Sequence, residues 1–172
     1  MATAPDHDKE IEANVKDFQT FVSFILTISI FGVSTFAVIV GQMQDPADIW
    51  KPDPPPFTLS RVRTFLAIAW LCFVLSLAVA GYSSSLITIW RQRALGAIAA
   101  GSDRSEWWKN WDRFGVAVSV ILHILVVLAF FFLSISLVAY VGAAGWVMVG
   151  FTSAALVFVL ALSSYQILNK GD

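Results

Sequence analysis

Residues 114–169 read FGVAVSVILHILVVLAFFFLSISLVAYVGAAGWVMVGFTSAALVFVLALSSYQILN, fifty-six positions without one Asp, Glu, Lys or Arg. A helix rising about 1.5 Å per residue needs about 20 apolar residues to cross a hydrocarbon core of about 30 Å. As a single helix this block would be about 84 Å long by the same rise, so the chain must cross, turn and cross back. The break falls in residues 141–145, VGAAG, where glycines flank a short link of small residues suited to a tight helical hairpin. Two spans result, near 114–140 and 146–168.

Two further charge-free blocks precede it. Residues 18–44 supply a first span near 20–41, and residues 64–90 supply a second. Inside a bilayer every backbone polar group must be paired within the protein, which leaves helices and closed barrels. Barrel strands alternate apolar and polar positions, whereas these runs are solidly apolar. The expected fold is therefore all-α: a polytopic membrane protein with a four-transmembrane-helix bundle over 18–168, and polar tails at 1–17 and 169–172.

Composition agrees. Only 13% of the 172 residues are charged and 58% are hydrophobic, against about 25% charged in soluble domains. A net charge of −1 leaves no basic surface for a nucleic-acid partner. Cys72 is the lone cysteine and has no internal disulfide partner. The first seventeen residues are polar and mostly acidic, so the first apolar block is expected to stay as an anchor rather than serve as a cleaved signal. Position 2 is Ala2, not the glycine of a myristoylation signal, and no sequon for N-glycosylation occurs.

Charge asymmetry orients the bundle. Lys9, Lys16, Arg91, Arg93, Arg104, Lys109, Arg113 and Lys170 fall on one side, eight positive residues, and Lys51, Arg61 and Arg63 on the other, three. The positive-inside rule then predicts that both termini and the second loop are cytoplasmic. Aromatic residues mark the same depths. Trp90, Trp107, Trp108 and Trp111 stand at the proposed cytoplasmic edge, and Trp50, Phe57, Tyr140 and Trp146 at the opposite one. Trp70 lies deeper and reads as a packing residue.

The loops admit two readings each. Residues 45–57, DPADIWKPDPPPF, carry five prolines, which favours an extended, stiff spacer; a docking surface or a plug over the bundle is the other reading. Residues 102–113, SDRSEWWKNWDR, contain a capping-box variant from Asp103 to Glu106. Trp107, Trp108 and Trp111 beside Lys109 and Arg113 form either an aromatic belt or a contact for lipid or a partner. In the N-terminal tail, Ile11, Val15, Phe18 and Val22 share a helical face and suggest a helix running into the first span.

Membrane helices associate through small residues and interhelical hydrogen bonds. Thr20, Ser23, Thr27, Ser34 and Gly41 fall within an arc of about 60° on the first span. Ala69, Cys72, Ser76, Ala80 and Ser83 form a stripe on the second, and Gly150, Ala154, Ala161 and Ser164 on the fourth. Each is expected to be a close-packing face in a compact bundle, or else a pore lining or homo-oligomer seam. His123 is the one strongly polar titratable side chain at membrane depth, with Ser119 and Ser134 within about 40° of it around the helix. Intramembrane ionisable groups are functional candidates, and a neutral imidazole held by hydrogen bonds is the structural alternative. His7, in the polar tail, is no evident second ligand.

Several chemistries have no visible residues. The spans carry no Asp, Glu, Lys or Arg of the kind that ion pathways retain. No nucleophile–base–acid set within the spans, metal-ligand spacing or phosphate-cradling loop occurs, so no enzyme activity, metal or cofactor is expected.

Residues 64–85, TFLAIAWLCFVLSLAVAGYSSS, resemble the second span of small uncharacterised fungal four-span proteins. The order of first span, proline-containing loop and Phe-led second span is similar to the plant PGG membrane module, although the Pro-Gly-Gly motif and preceding ankyrin repeats are missing. That resemblance implies a membrane module without catalysis. The outside loop lacks the cysteines of tetraspanins and claudins. The spans lack the Arg and Asp expected in Casparian-strip-type proteins and the first-span glutamate of the calcium-channel family with the same topology.

The leading expectation is a non-enzymatic scaffold or accessory subunit, in contact with the bilayer and with a membrane-protein partner or further copies of itself. The alternatives are a homo-oligomeric small-solute pore lined by Ser/Thr stripes, and a heme or redox protein using His123.

Overall fold

The computed structural model describes residues 4–99 and 105–169, with side-chain surroundings at 13, 15–87, 89 and 113–165. Five helices follow in order: α1 (Ala4–Gly41), α2 (Pro46–Ile49), α3 (Leu59–Ala99), α4 (Ser105–Val141) and α5 (Ala143–Asn169). No strand occurs among the described residues. Four helices are long and apolar enough to cross a bilayer, over Val15–Gly41, Leu59–Ile87, Arg113–Val141 and Ala143–Tyr165. The molecule is a four-helix membrane bundle.

The helices outrun their apolar blocks at one end of the bundle. Continuous α1 begins at Ala4, α3 runs to Ala99 and α4 starts at Ser105, all beyond the membrane-spanning segments. Ser102 and Asp103, two of the expected capping residues, lie outside the described residues, as does the Lys170 tail.

α3 is the centre of the bundle. Its buried positions Val62, Leu66, Ala69, Phe73, Ser76, Ala80, Ser83 and Ile87 recur at alternating steps of four and three, the repeat that keeps one seam facing a neighbour. This is the stripe expected from Ala69, Cys72, Ser76, Ala80 and Ser83, and all five are buried. Ser76 and Ser83 donate to the carbonyls of Cys72 and Val79 at 2.8 and 2.7 Å, so their hydroxyls enter the seam already satisfied. α1 and α4 pack on α3, and α5 packs on α4.

The first span packs with a different face from the one expected. Thr20, Ser23, Thr27, Ser34 and Gly41 are all exposed, and the buried positions are Val22, Ile25 and Ser29, continuing to Gly32. Thr20 and Thr27 donate to the carbonyls of Lys16 and Ser23 four residues back, at 2.9 and 3.0 Å, so their hydroxyls are satisfied on the exposed face without a partner helix. Gly32, in contrast, admits a ring. A Cβ at Gly32 would stand 2.6 Å from three atoms of the Phe73 ring. Phe73 is held from its other side by Phe130 of α4 in an edge-to-face contact, with centroids 5.4 Å apart. One glycine thus lets α1, α3 and α4 meet.

The fourth span also differs. Gly150, Ala154, Ala161 and Ser164 face outward. α5 leans on α4 through Gly145 and the half-buried Val149, Ser153 and Leu156, ending at buried Ser163. At Gly145 an added Cβ would stand 2.6 Å from the Val138 Cα, so the hairpin is tightest at its turn. The turn itself is one residue long. Gly142, at φ +55°, donates its N–H to the Val138 carbonyl at 3.2 Å, the left-handed cap that glycine accepts without strain. Gly145 already belongs to α5.

The 45–57 loop is folded, not extended. Asp45 caps α2, its carboxylate accepting from the Ala47 N–H at 3.0 Å, and Pro46 opens the helix where a missing N–H costs nothing. Lys51 pairs with Asp48 at 2.7 Å. That hydrogen bond and charge hold the ammonium above its ordinary pKa, so the pair persists at neutral pH, and lysine deprotonation breaks it only above the usual lysine range. Fully exposed, it contributes little to stability.

Replacing Gly32 with alanine must displace Phe73 and is expected to cost about 1–3 kcal/mol. Gly150→Ala, where an added Cβ meets nothing within 4 Å, should stay within about 0.5 kcal/mol of the wild type. Reversible unfolding in mixed micelles checks both. The same assay applies to Ser29, whose hydroxyl is fully buried without a partner. Ser29→Ala removes an unmet hydrogen-bonding group and should raise stability by about 1 kcal/mol.

Candidate functional site

His123 projects from α4, where that helix touches α1. Its Nδ1 lies 2.7 Å from the Ser119 carbonyl oxygen, a distance at which the nitrogen must be the donor. The Ser119 Oγ makes a longer contact, 3.4 Å, with the same nitrogen. Nδ1 thus carries a proton, and Nε2 is the ring nitrogen left for any other partner. Phe21 of α1 stacks on the imidazole, with centroids 4.7 Å apart and planes 18° from parallel. The histidine is therefore gripped on one face by an aromatic ring and at one nitrogen by its own helix.

Ser134 is not part of this group. It shares a face of α4 with His123 but stands eleven residues on, about 16 Å along the axis. Its hydroxyl donates to the Phe130 carbonyl at 2.7 Å. Phe21 is the partner that sequence reasoning missed. Its only signal was its place one residue before Val22 on the expected N-terminal face, which does not specify a cross-helix stack.

A single imidazole whose Nε2 has no partner among the described residues can act as a hydrogen-bonding group or as one ligand of a metal. Among the described residues no three His, Cys, Asp or Glu side chains gather to hold an ion. His7, Trp107, Trp108 and Trp111 have side chains outside the described residues, although the backbone of the three tryptophans belongs to α4. Arg113, the last of the expected interfacial contacts, is exposed at the start of the α4 membrane segment.

The opposite end of the bundle holds a second cluster. The Trp50 indole N–H donates to the Ala139 carbonyl at 2.7 Å, one of the last four carbonyls of α4 that have no partner within their helix. The same ring lies over Gly142, where a Cβ would come within 3.2 Å of it. Tyr140 donates its hydroxyl to the Gln44 carbonyl at 3.1 Å. Phe57 packs against Phe65 and Trp146, with centroids 5.6 and 6.5 Å away. The four aromatics expected at this edge thus interlock the α1–α3 loop with the α4–α5 turn. Between α1, α3 and α4 is a cleft of about 230 Å³ whose lining includes Gln42 and Tyr140.

These features define a multi-pass integral membrane protein. Comparison with known proteins returns no matching family model, no matching curated protein and no matching solved structure.

His123→Phe preserves the stack on Phe21 and forfeits one hydrogen bond, so unfolding in micelles should shift by about 1 kcal/mol or less. His123→Asp places a charge at membrane depth and should cost about 2.5–3.5 kcal/mol, with a matching fall in folded yield. Trp50→Phe keeps the ring over Gly142 but orphans the Ala139 carbonyl. A loss of about 1–3 kcal/mol and faster proteolysis within the 45–57 loop are expected.

Proposed function

We propose that the chain is a non-catalytic membrane subunit, a scaffold or accessory component that works by packing against another membrane protein or another copy of itself. The observation that carries this reading is the state of α5. That helix leans on α4, while Gly150, Ala154, Ala161 and Ser164 remain exposed along its other side. Small residues spaced four apart let helix backbones approach closely, which is how helices associate where water supplies no driving force. The resemblance of the span order to a membrane module without catalysis supports the same reading.

The eight-to-three distribution of Lys and Arg supports cytoplasmic termini. The helical extensions of α1, α3 and α4 would then project into the cytoplasm, and the interlocked loop would face the opposite compartment.

A homo-oligomeric pore is the second reading, favoured by the exposed Thr20, Ser23, Thr27 and Ser34 on α1. The α3 stripe lies inside the bundle, so α1 would have to supply the lining. A heme role for His123 would draw on its free Nε2.

Co-purification from native membranes in mild detergent separates these readings. Ala154→Leu is expected to release the bound partner while leaving the unfolding midpoint unchanged; retention of the partner by a folded variant would count against α5 as the docking face. A ring of identical subunits by light scattering would favour the pore, and a Soret band the heme. For topology, single cysteines at Lys51 and Lys109 should react from opposite sides of sealed vesicles, with little background from buried Cys72. Labelling of both from one side would overturn the orientation.

A further inference from the structure

α1 is seated along its first half only. Its buried positions end at Ser29, and Val33 is its last residue packed against the buried cluster of Cys72, Phe73 and Ala129. Past that point α3 and α4 stay buried, at Val62 and Leu66 and at Ser136 and Val138, but α1 does not close on them. The cleft of about 230 Å³ stands where that seam would be, with Ile39, Gln42 and Met43 on one side and Leu133, Ser136 and Tyr140 of α4 on another. This stretch of α1 meets α3 through a pair of rings, Phe36 and Trp70, with centroids 5.5 Å apart and planes at 35°.

The junction between the two halves is suited to bending. Gly32 sits in the helix interior, where glycine weakens a helix. Three residues on, Thr35 donates to the Phe31 carbonyl at 2.8 Å, a bond to the preceding turn of the kind that bends helices. The far end of α1 is held by the loop that follows it. Tyr140 donates to the Gln44 carbonyl at 3.1 Å, and the Trp50 indole to the Ala139 carbonyl at 2.7 Å. Both bonds end on adjacent residues of α4, and Tyr140 is itself a wall of the cleft. Packing has little hold here, because apolar burial within a bilayer gains almost nothing from solvent and the walls of a cleft lack dispersion partners. Two hydrogen bonds therefore fix where this half of α1 stands.

We infer that the loop-side half of α1, residues 32–41, is a movable wall of the cleft, hinged between Gly32 and Thr35 and latched to α4 through Tyr140 and Trp50. Latched, it stands as described above. Released, it rolls on the Phe36–Trp70 contact, swings away from α4 and widens the cleft toward the bilayer. The nine steps from Gly32 to Gly41 span about 14 Å, so a kink of about 20° carries the helix end about 5 Å. The other half stays in place, seated by Val22 and Ile25 in the cluster that holds Leu122. The device does not depend on what α5 packs against.

Distances between pairs of spin labels test it, in the full-length protein with Cys72→Ala, reconstituted in phosphatidylcholine vesicles. Labels on Val40→Cys and Phe151→Cys report the loop-side half, and labels on Phe24→Cys and Leu160→Cys the seated half; all four positions are exposed. Tyr140→Phe removes one bond of the latch and should raise the population of a longer Val40–Phe151 distance about fivefold, the equilibrium worth of one hydrogen bond. Adding Trp50→Phe should raise it further, with the longer peak displaced by about 5 Å. The Phe24–Leu160 distance should stay as in the wild type. A single Leu133→Cys in the cleft wall should react with a membrane-permeant maleimide about fivefold faster when Tyr140→Phe is present. An unchanged or shorter Val40–Phe151 distance in the folded double variant overturns the inference, and equal displacement of both label pairs overturns the hinge. If the double variant does not fold, Tyr140→Phe alone decides: no gain in the longer distance and none in Leu133→Cys reactivity overturns the latch.

Discussion

In a bilayer the lipid tails are as apolar as leucine, so burying a leucine between helices gains almost nothing from solvent. What remains is close fit, and here it depends on the absence of one side chain. Gly32 brings the backbone of α1 against the Phe73 ring, and Phe73 meets Phe130 edge-on. A ring flanked in this way makes dispersion contacts on both sides. The seams above and below, through Val22, Ile25 and Leu122 on one side and Leu66 on the other, are aligned by that contact.

The number and depth of the spans were legible because charge is so costly in hydrocarbon that its absence over long blocks has one reading. The seam of α3 was legible as well, since Ala69, Ser76, Ala80 and Ser83 have no other reason to share a face. The same logic did not find the faces that α1 and α5 turn toward their neighbours within the chain. Thr20 and Thr27 bond to their own helix, so small polar residues can face lipid as comfortably as a neighbour. Which face packs was decided by Gly32, one residue among many, whose importance appears only when Phe73 is placed opposite it.

The sites divide in the same way. His123 and Ser119 are one turn apart on a single helix, and local spacing was enough to pair them. Phe21 and Trp50 act across the fold. No periodicity announces that an indole will satisfy a carbonyl at the end of another helix, although a tryptophan near a membrane edge commonly finds some acceptor for its N–H. The prolines of the 45–57 loop suggested extension, while the local chemistry of Asp45 and Pro46 produced a helical turn.

The bond from Trp50 to the Ala139 carbonyl joins residues 89 apart in the chain. A ribosome adding roughly 5–20 residues per second spends on the order of ten seconds between them. Throughout that interval the first two spans can already be in the bilayer, yet their connecting loop has nothing to close upon. The first loop is therefore made early and closed late: its latch must wait for the third span, α4, to arrive, and a chain stalled before α4 would leave the Trp50 indole without that acceptor.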